Sequence, residues 1–191
     1  MKPKIDTLTK YAIIHAMKVV LTQPIKKFSI VDLAKEAKLA ISAANYALEY
    51  MLVNGLVTDQ KVGRTHQYRA NLGNYLAKQW KVLFSLEEIG EAQLVENILK
   101  QSKSITSIII YGSVAEGRDD ELSDIDILVI ADVDMEKKKQ ILGQAHGTQR
   151  EPNIIVYTPM EWRKKAEKDK VFYENAIIHS IVLYGQKPVA L

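Results

Sequence analysis

Apolar residues recur along this chain with two periods, about 3.6 and 2, and the switches between them delimit its elements. Leu8 to Leu21 predicts a helix, because Leu8, Tyr11, Ala12, Ile14, His15 and Val19 give one broad apolar face and Pro24 follows. A second helix is predicted from Ile30 to Ala37, capped by Ser29, with Ile30, Leu33, Ala34 and Ala37 inward. A third begins near Ser42, carries Ala43, Asn45, Tyr46, Leu48, Met51 and Leu52 to Asn54, and ends at Gly55. Leu56 to Arg69 then reads as two short strands around a Gly63-Arg64 tip, a hairpin with a basic end.

From Asn74 to Ser102 the pattern predicts one or two long helices, with Leu76, Trp80, Leu83 and Phe84 in one stripe and Ile89, Leu94, Val95, Ile98 and Leu99 in another. Trp80 in such a stripe is expected in a core or an interface, and a homodimer contact stays open. Two unbroken apolar runs, Ile108 to Tyr111 and Ile125 to Ile130, read as buried strands, and Asn153 to Tyr157 as a third. Helices are predicted over Met135 to Gly143 and Met160 to Lys168, whose basic runs read as solvated faces. Phe172 to Gly185 predicts a helix passing into a strand.

The charge is uneven in a way that separates two halves. Residues 1–71 hold eleven Lys and Arg against five Asp and Glu, a net of +6, whereas residues 72–191 hold fifteen against eighteen, a net of −3. A basic first half points to nucleic acid and an acidic second half to metal-dependent chemistry. There is no cysteine, which excludes disulfides and thiolate metal sites, and the histidines at 15, 66, 146 and 179 are too scattered for a zinc cluster. Neither a membrane-length apolar run nor a signal-peptide pattern occurs, so the expected location is cytoplasmic, away from membranes.

The chemistry concentrates in YGSVAEGRDDELSDIDILV, Tyr111 to Val129. Gly112 allows a sharp turn and close approach of a ligand, and Ser113 adds a hydroxyl. Asp124 and Asp126, two apart at the start of a strand, send their side chains to one face. Adjacent carboxylates repel unless a cation or a donor cluster lies between them, and hard oxygen ligands suit magnesium completed by water and phosphate.

This run resembles the minimal nucleotidyltransferases of the DNA polymerase beta superfamily, whose pattern is Gly-Ser, roughly a dozen residues, then Asp-hydrophobic-Asp. Gly112, Ser113, Asp124 and Asp126 match it, with Ser123 and Gly117 as commoner decorations, and the likeness covers about residues 104–187. It implies an α/β (α+β) domain with a small mixed sheet over residues 104–191. It also implies magnesium, or manganese in its place, on Asp124 and Asp126, and a nucleoside triphosphate, ATP being the expected one, on Gly112, Ser113, Arg118 and Ser123. The implied reaction is transfer of a nucleoside monophosphate to an acceptor. The family's third acid falls at Asn153 here, and an amide cannot take a proton. Glu151 would share a face with Asn153, but Pro152 interrupts the alternation.

Residues 1–72 resemble the winged helix-turn-helix domains of transcription regulators, carried by SIVDLAKEAKLAISAANYALEYMLVNGLV. The implied fold is mainly α, followed by a helical connector at 73–103, and the implied partner is double-stranded DNA. Ser42, Asn45 and Tyr46 are then the candidate base readers; Lys61, Arg64, His66 and Arg69, with Lys35 and Lys38, are the phosphate contacts. Glu49 opposes phosphate. Three functions follow: a DNA-bound transferase, a transcription regulator sensing nucleotide through a degenerate site, or an antitoxin-type transferase whose acceptor is a toxin protein.

Overall fold

The computed structural model describes residues 11–189. They form two compact units, one reaching to Glu87 and including Gly117–Glu121, the other made of Glu88–Glu116 and the chain from Leu122 onward. The boundary between the units falls within the stretch expected as a helical connector, 73–103, inside a single helix.

In the first unit, α1 (Ala12–Leu21), α2 (Ile30–Glu36) and α3 (Ile41–Val53) precede a hairpin of β1 (Val57–Val62) and β2 (Thr65–Ala70), and α4 (Tyr75–Glu91) follows. Of the first predicted helix, Leu8 to Lys10 lie outside the described residues. Ser29 caps α2 reciprocally: its hydroxyl accepts from the Asp32 amide while the Asp32 carboxylate accepts from the Ser29 amide. The end of α3 is closed by Gly55 N–H to Leu52 O at 3.0 Å and Leu56 N–H to Met51 O at 2.8 Å, the paired pattern that satisfies otherwise orphaned carbonyls. Phe28, Leu33, Leu48, Met51 and Leu21, all fully buried, form the core, and Trp80 packs against it, stacked on Phe84 at 5.7 Å. Leu76, expected in the same stripe, is exposed instead.

Two buried charges sit beside this core. Lys81 donates to Asp119 Oδ2 at 3.1 Å and to the Leu21 carbonyl at 3.2 Å. Gly117 lies so close to the Lys78 carbonyl that a Cβ there would fall 2.4 Å from its oxygen.

The second unit is built on a four-stranded mixed sheet. After α5 (Leu94–Leu99) come β3 (Ile105–Ile110), the single turn α6 (Gly112–Ala115), β4 (Ile125–Ala131) and α7 (Met135–Leu142). Then follow β5 (Pro152–Tyr157), α8 (Pro159–Lys168), α9 (Lys170–Ile178) and β6 (Ile181–Gly185). β3 runs antiparallel to both β4 and β6, and β4 parallel to β5. β3 and β4 are central and covered on both faces, which is why they read as continuous apolar runs rather than alternating ones. On one face Ile109, Tyr111, Leu128 and Ile130 meet Trp162 of α8 and Ala176 and Phe172 of α9. Period-2 alternation puts Asp126, Asn153 and Glu151 on that same face, at the end of the strands where the helical cover stops.

Candidate functional site

Gly112 sits where β3 ends, with φ +72, a conformation that costs an L side chain about 1–2 kcal/mol. A Cβ built on it would lie 2.8 Å from Asp126 Oδ2. The bend and the carboxylate therefore occupy adjoining space, and only glycine leaves it open. The Tyr111 amide fixes the same corner by donating to the Asp126 main-chain carbonyl at 3.1 Å. Ser113, the next residue of the turn, is partly buried.

Asp126 is held from its other side by β5. The strands pair in register Ile125 with Pro152 and Asp126 with Asn153, and the Asn153 amide donates to Asp126 Oδ1 at 2.9 Å. Asp124, Glu151 and Asn153, all exposed, line one depression of about 350 Å³ with Leu142, Ala145, Pro152 and Ile154. Asn153 is thus the residue common to both halves: it touches Asp126 and faces the cavity that Asp124 and Glu151 border. Pro152 does not break the strand, since it is its first residue and β5 is an edge.

Among the described residues no group of three or more His, Asp or Glu side chains is arranged to hold a metal ion. What remains is the Asp126 carboxylate beside the open glycine bend, with the Asp124 carboxylate bordering the depression that Asn153 also lines. That donor set suits a magnesium ion keeping most of its ligands as water and phosphate oxygen, not an all-protein cage.

Tyr111 is buried, edge-on to Phe172 at 5.9 Å. Burial pushes its hydroxyl pKa well above the ordinary tyrosine value, with the Asp126 charge adding to the shift, so it stays protonated. Sequence reasoning treated it only as a strand end. The other residue it missed is Glu88 of α4. Its Oε1 accepts the backbone N–H of Gln149 (2.8 Å) and of Arg150 (3.1 Å), and its Oε2 accepts Arg150 Nε (3.2 Å) and Nη2 (2.8 Å). Sixty residues separate the partners, and no local pattern signals such a pair.

Two further nucleotide candidates are Arg118 and Ser123. Arg118 lines a different cavity, of about 390 Å³, within the first unit and together with Arg69, Thr58, Asp119 and Asp120. Ser123 is partly buried just before Asp124.

The candidate nucleic-acid face is thinner than the sequence suggests. Ser42 and Tyr46 are exposed on α3, but the Asn45 amide donates to Glu49 Oε1 at 2.8 Å. On the hairpin Lys61 and Arg64 are exposed, whereas His66 Nδ1 lies 2.7 Å from Asp59 Oδ2 and Arg69 Nε donates to the Pro24 carbonyl at 2.9 Å. His66, Arg69 and Asn45 are therefore engaged within the protein.

A family model of the nucleotidyltransferase domain matches residues 92–179. Among solved structures, a toxin-antitoxin with AMP-PNP is 18% identical, over 50% of this chain and 74% of that one, with a TM-score of 0.35. TrmBL2, an archaeal chromatin protein, is 14% identical, over 91% of this chain and 77% of that one, with a TM-score of 0.31. No curated protein matches the chain. The matched stretch contains Gly112, Ser113, Asp124, Asp126, Glu151 and Asn153, so the corner described above lies within the residues that the nucleotidyltransferase-domain model matches.

Proposed function

We propose that this protein binds a nucleoside triphosphate at the Gly112–Asp126 corner and transfers its nucleoside monophosphate to an acceptor: the acceptor bonds to the alpha phosphorus as the alpha-beta bond breaks and pyrophosphate leaves. The single observation that carries the reading is the space Gly112 leaves open against Asp126 Oδ2, inside the stretch matched by the nucleotidyltransferase model. Asp124 and Asp126 are the residues to hold magnesium, which would neutralise the phosphate oxygens. Gly112 lets the triphosphate approach the main chain, and the Ser113 hydroxyl donates to it. The Asn153 amide keeps Asp126 oriented. Incubation with labelled ATP, GTP, CTP or UTP, magnesium and a panel of protein, RNA and small-molecule acceptors tests this: label transfer that Asp126→Ala abolishes supports it, and no transfer from a folded protein with any acceptor removes it.

A second reading, nucleotide binding without transfer, is favoured by one observation: the position beside Asp126 carries an amide, which cannot accept a proton from an attacking hydroxyl. Tight magnesium-dependent binding of ATP with no label released or transferred would select it.

For the first unit we propose contact with double-stranded DNA through Lys61 and Arg64 at the hairpin and Ser42 and Tyr46 on α3. The support is the net charge of +6 over residues 1–71 and the exposure of these side chains. Binding that weakens steeply with salt is the expected result; indifference to salt, or no binding at low salt, overturns it.

A further inference from the structure

The chain entering β5 has almost no regular structure of its own: between α7 and Pro152 it is a series of turns and bends. Four hydrogen bonds to the one carboxylate of Glu88, at 2.8 to 3.2 Å, nonetheless help to hold its end. Two come from the main chain of Gln149 and Arg150 and two from the Arg150 guanidinium, and both side chains of the Glu88–Arg150 pair are only 14% exposed. The guanidinium donors converge on Oε2 while the main-chain donors take Oε1, and charge-assisted bonds of this kind are stronger than neutral ones. The clamp lies three residues before Asn153.

That distance gives the clamp its consequence. Side chains on a strand alternate faces, so the register in which residue 150 arrives decides which side chain meets Asp126. A slip of one residue would present Pro152 or Ile154, and a slip of two would present Glu151. The observed register, Ile125 with Pro152 and Asp126 with Asn153, is the one that yields the 2.9 Å amide-to-carboxylate bond. β5 is an edge strand paired on one side only, so its own ladder contributes less to fixing that register than a central strand's would.

We infer that Glu88 is a positioning residue for the candidate site: through Arg150 and the two main-chain amides it sets the register of β5 and thereby delivers Asn153 to Asp126. It touches no substrate. The inference rests on the nucleotide-site reading for its functional meaning, but its structural content stands apart from it.

The test compares the full chain with Glu88→Gln, which keeps the shape but removes the charge, and with Arg150→Lys, which keeps one charged contact. Two readouts are taken: the NMR signal of the Asn153 side-chain amide, and affinity for Mg·ATP. The expected result is a displaced Asn153 signal in Glu88→Gln, with Mg·ATP affinity down roughly tenfold, the scale on which outer-shell partners act, and an intermediate effect in Arg150→Lys. Unchanged Asn153 signals in both variants overturn the inference, as does unchanged Mg·ATP affinity where the native protein binds. If the native chain binds no Mg·ATP, the nucleotide reading fails and the Asn153 signal alone decides: displaced, it upholds the role in register; unmoved, it ends it. Should Glu88→Gln not fold, the same readouts on Arg150→Lys decide in the same way.

Discussion

Asn153 donates its side-chain amide to Asp126 Oδ1 at 2.9 Å, across two parallel strands. A carboxylate at 153 would turn this attraction into repulsion between like charges. Asn153→Asp should therefore melt at a lower temperature than the native protein without divalent ions, and magnesium should raise its melting point by more than it raises the native one. Equal magnesium shifts in the two proteins would show that the corner does not take the ion.

Gly112→Ala meets two obstacles at once, the positive φ and the 2.8 Å approach to Asp126 Oδ2. A loss of about 1–2 kcal/mol in urea unfolding is expected from the backbone alone. Mg·ATP affinity should fall as well, because the methyl group occupies the space next to the carboxylate. A variant of native stability and native affinity would contradict the cradle.

The Lys81–Asp119 pair is buried, with side chains 1% and 2% exposed. Removing one partner strands a charge in the core, so Lys81→Met or Asp119→Leu alone should cost about 3–5 kcal/mol. The double variant should cost less than either single one, and a double-mutant cycle by chemical denaturation reads the coupling.

Acid should loosen two helix starts. Hydrogen bonds from the Ser29 hydroxyl and amide hold the Asp32 carboxyl below its ordinary value, and Lys138 followed by the Thr158 amide does the same for Glu161. Both groups have folded pKa values below their unfolded ones. Their contribution is complete above the unfolded values, about 3.9 and 4.3, and is lost as pH falls through the depressed folded values. Both carboxylates are exposed, so the effect is small. Ser29→Ala should lower stability by about 1 kcal/mol at neutral pH and flatten the acid slope; an unchanged slope would argue against the cap.

If the first unit binds DNA, Lys61→Ala and Arg64→Ala should each reduce the slope of log affinity against log salt by about 1. Asn45→Ala and His66→Ala should change it little, since both side chains are engaged by acids of the same protein. Equal effects at all four positions would mean the interface is drawn wrongly.

How much of this was legible in the sequence depended on the range of each interaction. The caps, the hairpin and the strands were legible because each follows from residues a few positions apart: Ser29 with Asp32, Gly63-Arg64 between alternating runs, the unbroken Ile108–Ile110. Gly112 and Asp126 adjoin because the antiparallel pairing of β3 with β4 brings the end of one to the start of the other. Glu88 with Arg150 and Lys81 with Asp119 were not legible, because ion pairs spanning tens of residues leave no periodic trace. Leu76 was assigned inward on hydropathy alone, yet it is exposed, and Lys81 and Glu87 are buried on the same helix alongside Ala77, Phe84 and Ile89.

Pro152 opens the outermost strand of the sheet beside the depression. Because the Ile125 amide donates to the Glu151 carbonyl, residue 151 faces β4 and, by alternation, residue 152 faces away from the sheet. An imino acid there sacrifices no ladder bond and offers no N–H donor to a strand arriving from outside, only its carbonyl. The rim of the depression is thereby protected from being zipped closed by a neighbouring chain, and stays accessible to small molecules.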